Sequence, residues 1–322
     1  MRGGPTPPCT ITITITITIT ITNMKFYTDN QRTMRHGEPK PFTLVRFPTF
    51  ADFLAACGAP NKVNPSLQNA EASSWSGNVS FQKALEMLSL GWPECSERIR
   101  KMAGRVKNAI PDTLLDAFRP QLTYDVTGLS LDVGRFLDGE PECFADEIIP
   151  DQGDRMAGTG IVRISFSLAA MGDISPKEME RRGTFAVVVA DILESLGYRV
   201  EITGYISSSI THRRANGKVS YGQQLIVWPI KATDEMIDMD RLAFLMAHPA
   251  AFRTIGFNAM NIVGCMGSGY GGAWELPKEF EGDITIPELS QADGTDLATA
   301  KKILAGLQKI GIEIDPESLN EI

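Results

Sequence analysis

Residues 161–230 constrain the fold more than any other part of the chain. Residues 161–166 alternate, with Ile161, Arg163 and Ser165 on one side and Val162, Ile164 and Phe166 on the other, the period-two pattern of a strand. Ser175-Pro176-Lys177-Glu178 reads as a capping box with proline at the first helical position. The helix it opens is apolar nearly all round over residues 185–190, which sets it deep against a sheet, and Gly197 ends it. Val200, Ile202, Gly204 and Ile206 alternate as a second strand. Strand, helix and strand with a short exit loop imply parallel pairing through a right-handed crossover. Asn216-Gly217 is the strongest hairpin signal in the chain, so the strand around residues 225–230 is expected to return antiparallel. Pro229 demotes that strand to a sheet edge or a strand end. The expected fold class is therefore α/β, with a mixed sheet on a strand–helix–strand–hairpin core and a mostly helical N-terminal part.

The flanks divide the rest. Residues 1–23 contain a strict Thr-Ile alternation over residues 10–22, a low-complexity tract read as a non-native start ahead of Met24 and set aside. Residues 24–110 are expected to be mainly helical. Residues 50–57 show a short helical pattern ended by Gly58 and Pro60. Ser80 suits the N-cap of a helix with Phe81, Ala84, Leu85 and Leu88 on one face and Gly91 as its stop. Trp92-Pro93 opens a second helix, striped by Ile99, Met102 and Val106. Residues 111–157 are punctuated by proline and glycine too often for long helices. They read as a connecting segment, with a strand near 129–133 and a helical turn near 133–137, partly packed on the core. Residues 158–263 form the α/β core, with a helix from Asp240 kinked at Pro249 and a further strand expected over 257–263. Residues 264–322 hold a glycine-rich loop and a helical arm.

Composition narrows the function classes. A net charge of −8 over 322 residues argues against general affinity for nucleic acid or anionic membranes. The five cysteines are odd in number and lack metal-ligand spacing, which favours reduced thiols in a cytoplasmic setting. No apolar run reaches the length of a membrane span. The glycines at 267, 269 and 272 are followed by Trp274 and Pro277 and no helix, so the phosphate-binding pattern is incomplete and no cofactor is expected.

The element order over residues 162–263 resembles the first half of a von Willebrand factor A-type domain. In that family the first strand ends in Asp-x-Ser-x-Ser, which holds a divalent cation. The matching residues are Arg163, Ser165 and Ser167, and an arginine in the place of the aspartate repels a hard cation, so the resemblance implies a degenerate site with no metal. Two further segments resemble a group of uncharacterised phage and prophage proteins: Ser74-Trp75-Ser76-Gly77 with Gly91-Trp92-Pro93-Glu94, and Arg181-Arg182-Gly183 ahead of Asp191 and Glu194. That likeness spans most of residues 70–260 and implies a viral origin, with Cys95 standing where the group has glycine.

Three function classes follow. The first is a phage-type, non-enzymatic interaction module with a protein partner, acting through the hairpin tip (His212, Arg213, Arg214 and Lys218) or through the glycine-rich loop. The second is a nucleic-acid binder using the same tip together with the basic helix that carries Arg98, Arg100, Lys101, Arg105 and Lys107. A solvated helix face presents the same cations. The third is an enzyme with a dispersed site built from Asp173, Asp191 and His212.

Overall fold

The computed structural model describes residues 25–29, 42–59, 71–109, 121–148, 160–213, 219–263 and 276–289. Its main sheet is built from β1 (Lys25–Asp29), β2 (Phe42–Arg46), β6 (Ile161–Ser167), β7 (Arg199–Arg213), β8 (Val219–Lys231) and β9 (Ile284–Ile286). The strand order is β1-β2-β8-β7-β6-β9. β6 pairs in parallel with both β7 and β9, while β7 and β8 form the long antiparallel hairpin that the sequence predicts. The mixed α/β class is thus established.

The helix between β6 and β7 is α5 (Pro176–Ser195), and it begins with the expected capping box: Ser175 and Glu178 satisfy each other's backbone N–H. Its buried face touches the chain from Met239 onward, where the structure departs from a simple kinked helix. A short α6 (Met239–Leu242) passes into a π-helical segment, Ala243–Ala247. The chain breaks at His248, re-enters π-helical geometry over Ala251–Gly256 and finishes as α7 (Phe257–Ile262). The strand expected over residues 257–263 is therefore a helix. The apolar run there is short enough to suit either period, and burial of consecutive residues Asn258, Ala259 and Met260 against helices decides for the helix. Gly183 allows α5 to approach the first π segment: a Cβ there would stand 1.9 Å from the Met246 carbonyl oxygen.

Of the two places expected for Pro229, a sheet edge or a strand end, the structure shows the second: it lies two residues before the end of β8. β8 lies between β7 and β2, a central position. The proline is accommodated because β2 pairs only as far as Val227 and because the β7–β8 register shifts between Ile202 and Thr203, leaving a bulge beside it.

The N-terminal region is not purely helical, since β1 and β2 extend the main sheet. Its helices α1 (Phe50–Gly58), α2 (Phe81–Leu90) and α3 (Pro93–Ala109) join the same core. Thr49 caps α1 through a box with Asp52, and Phe53 stacks flat on buried Trp228 at 4.3 Å. Gly91 turns the chain between α2 and α3 at φ 83°, and its missing Cβ would lie 2.4 Å from the Asp240 backbone. The docked turn is held by a Trp92 N–H bond to the Asp240 carbonyl at 2.8 Å.

A second, three-stranded sheet stands apart from this core. It comprises β3 (Gln121–Asp125), β4 (Ser130–Leu131) and β5 (Phe144–Ile148), ordered β3-β5-β4, with a one-turn helix α4 (Val133–Leu137) between β4 and β5. The strand and helical turn expected near 129–137 are present. None of the described residues of this unit belongs to the main core cluster, and residues 111–120 and 149–157 of the expected connecting segment lie outside the described residues.

Candidate functional site

In sheets of this kind a ligand site is sought first at the carboxyl ends of the parallel strands. Here that pole is closed by two buried arginines. Arg182 of α5 donates to the Ser167 carbonyl and to the Pro287 carbonyl, both at 2.8 Å, and so ties the end of β6 to the end of β9. Its guanidinium also lies over the Phe166 ring at 4.7 Å. Burial pulls its pKa down to about 10, the cost of holding a cation away from water. Arg253 clasps the loop that follows β6, donating to the Ile174 carbonyl, to the Met171 carbonyl at 3.4 Å and to the Trp75 carbonyl at 2.7 Å. Trp75 stacks beneath that guanidinium and donates its indole N–H to the Gly172 carbonyl at 2.9 Å. At the opposite pole buried Lys231 reaches the Val200 carbonyl at 2.8 Å and the Glu194 carboxylate.

Arg163, Ser165 and Ser167 do not form one site. They lie at alternate positions of a single straight strand, so the first and last are about 13 Å apart, whereas the oxygens around one cation each lie about 2.4 Å from it. Arg163 is mostly exposed and faces Glu201 across the β6–β7 ladder. The Ser165 hydroxyl donates to the Phe280 carbonyl at 2.7 Å, and the Ser167 hydroxyl accepts from the Ala169 N–H at 3.2 Å. Among the described residues no group of three or more His, Cys, Asp or Glu side chains is placed to hold a metal.

The dispersed acid–base set does not converge either. Asp173 precedes α5, and Asp191 lies near its far end, about 22 Å down the axis from Pro176. His212 belongs to β7 about 23 Å beyond Tyr205, the residue paired with Ser167. Asp191 lines a shallow open groove of about 360 Å³ with Arg100, Gly104, Ile237 and Met239. Of the hairpin-tip candidates, His212 and Arg213 close the β7–β8 ladder opposite Ser220 and Val219. Arg214, Lys218 and the glycine-rich loop lie outside the described residues. On the basic helix α3, Arg98 pairs with Glu180, Arg100 with Asp240 and Lys101 with Glu97. Its opposite face, Cys95, Ile99 and Ala103, is buried in the core.

The unit of residues 121–148 contrasts with all of this. It exposes Leu122, Val126, Leu129, Leu131, Val133, Phe136 and Leu137, seven of the twelve large apolar side chains exposed among the described residues. Leu129 is 93% exposed and Leu137 76%. Among its residues of described burial, Cys143 and Ala145 are the buried ones. Polar contacts give the unit its shape. Arg135 stacks on Tyr124 at 4.0 Å and pairs with Glu140. The Tyr124 hydroxyl donates to Asp132, and Asp146 accepts the Leu129 N–H at 2.7 Å. The Asp132 carboxyl is held below its usual range, first by the Arg135 backbone N–H. The unit contains Asp125, Asp132, Asp138, Glu140, Glu142, Asp146 and Glu147 against Arg135 alone, a net −6 of the chain's −8. Sequence reading passed over this surface, yet its signal was present as local charge: seven carboxylates and a single arginine fall in one short segment of isolated apolar residues.

A family model described as a domain of unknown function, DUF7192, matches residues 28–314, and the chain belongs to that family. No curated protein and no solved structure matched the sequence. No helix among the described residues is long and apolar enough to cross a membrane.

Proposed function

We propose that this protein is a non-enzymatic interaction module that docks another protein on the unit of residues 121–148. The observation that carries this reading is the inverted packing of that unit, with seven large apolar side chains outside and two small ones inside. Soluble surfaces rarely gather apolar side chains in this way without a partner to cover them. A three-stranded sheet also needs a covered apolar face to be stable. The pairing of α3 cations with carboxylates and the acidity of the exposed unit favour protein over nucleic acid as the partner. In this reading the protein works in the cytoplasm of a host cell, as a member of the phage-type group its Trp75 and Trp92 segments resemble. The free, buried thiols of Cys57, Cys95 and Cys143 support a reducing compartment.

The test is a Leu129→Ser, Phe136→Ser, Leu137→Ser variant compared with the wild-type chain. A partner captured from the native host, identified and reconstituted from purified components, is expected to bind wild type and lose the variant, with far-UV circular dichroism unchanged. A reconstituted partner that binds both chains equally would sink the reading.

A further inference from the structure

The two edges of the small sheet differ in a way that identifies how a partner would bind. β4 is an edge of only two residues, too short to template another strand. β3 is the other edge, and it pairs with β5 through five consecutive residues without a bulge. Its sequence, Gln-Leu-Thr-Tyr-Asp, contains neither lysine nor proline, the residues that usually blunt a free edge. Among the described residues no strand lies on its outer side. Leu122, Thr123 and Asp125 are exposed along it. A straight, unblunted edge of this length presents a row of backbone donors and acceptors to any extended chain that comes alongside.

Charge selects the chain that comes. The unit carries seven carboxylates against one arginine, and that arginine already pairs with Glu140. Asp125 lies at the end of the β3 edge itself. An acidic incoming segment would bring like charges together there and within the acidic unit, while a basic one meets opposite charge. We infer that β3 accepts an extended, basic polypeptide segment as a fourth strand, with alternate apolar side chains of the segment resting on Leu122 and its apolar neighbours. The inference rests on the docking reading above and goes further by naming the mode and the charge of the partner.

The experiment uses the full chain and three synthetic, terminally blocked peptides. One alternates lysine and valine. One alternates glutamate and valine. The third places lysine and leucine at helical spacing with the same charge as the first. Binding is read by fluorescence anisotropy and by hydrogen exchange of the β3 amides. The lysine–valine peptide is expected to bind, to protect the β3 amides, and to weaken about tenfold between roughly 0.05 and 0.5 M salt. The Leu122→Lys, Asp125→Lys variant, both positions being exposed, is expected to bind it at least about tenfold less well, by blunting the edge and reversing its charge. Equal binding of the glutamate–valine peptide, absence of lysine–valine binding, or binding unchanged in the lysine variant would overturn the inference. Preferential binding of the helical peptide without protection of β3, lost in the Leu129→Ser, Phe136→Ser, Leu137→Ser variant, would overturn strand addition while leaving the docking reading intact.

Discussion

The carboxyl pole of the main sheet and the surface of the small sheet handle exposed and buried groups in opposite ways. At the pole, charged side chains are inside: Arg182 and Arg253 are almost fully buried and spend their donors on carbonyls at strand ends and in the loop after β6. On the small sheet, apolar side chains are outside and the carboxylates surround them. A buried guanidinium is costly unless its donors are matched, and here the terminal nitrogens of both arginines are matched while each Nε is not, so the pole is closed chiefly by arginine–carbonyl bonds. An exposed leucine costs nothing to remove from the fold but leaves apolar area for another chain to cover. The difference teaches where to look for function: away from the pole that fold-level analogy recommends, and toward the unit that its own core does not explain.

That contrast is broken or sharpened by four measurements, in decreasing order of effect. Gly183→Val places a side chain where a Cβ already meets the Met246 carbonyl, and denaturant unfolding is expected to show a loss on the order of 3 kcal/mol or more. His248 is the next. It is buried between Trp92 and Phe244, its Nδ1 accepts the Ala250 N–H at 3.1 Å, and burial pulls its pKa down to about 4. The folded state therefore favours the neutral ring. Its stabilisation is complete above the ordinary histidine value near 6.5, falls as pH drops toward about 4, and amounts to about 3 kcal/mol over that window. A His248→Gln variant is expected to lack this part of the pH dependence of unfolding; identical slopes in the two proteins would remove His248 as its source. Arg253→Met leaves the Trp75 and Ile174 carbonyls without their donor and is expected to cost about 2 kcal/mol by the same unfolding measurement. Smallest is the surface change: Leu129→Ser and Leu137→Ser are each expected to alter stability by less than about 0.5 kcal/mol. A large loss there would mean that these side chains support the fold, and the comparison would collapse.

Much of the main sheet was legible because its signals are local. The capping box at Ser175 and Glu178, the alternation in β6 and β7 and the turn signal at Asn216-Gly217 each rest on a few neighbouring residues, and the observed α5 and the β7–β8 pairing follow them. Pro229 pointed to a sheet edge or a strand end without deciding between them, because strand position is non-local: the strand is central, and the early end of β2 pairing and a bulge in β7–β8 make room for the proline near the strand's end. Residues 257–263 were misread because a short apolar run fits both periods, and only packing separates them. The segments around Trp75, Gly91, Trp92, Arg182 and Gly183, which carried the resemblance to phage proteins, prove to be where remote parts of the chain are clasped together. The hairpin tip stands as a sequence-level candidate only, while the acidic apolar unit required exposure to be seen.

By itself, then, the order of residues determined the elements whose causes lie within one turn or one strand: caps, periods, turns and the charge of each segment. Tertiary structure alone decided which groups those elements bury. The sequence does not mark Arg182 and Arg253 as buried, and they become so only when strand ends and a loop are brought around them; nor does it mark Leu129 and Phe136 as exposed, which they are. Burial depends on contacts between segments far apart in the chain, as in the bond from Asn258 to the Cys57 carbonyl, and no local pattern encodes such a contact.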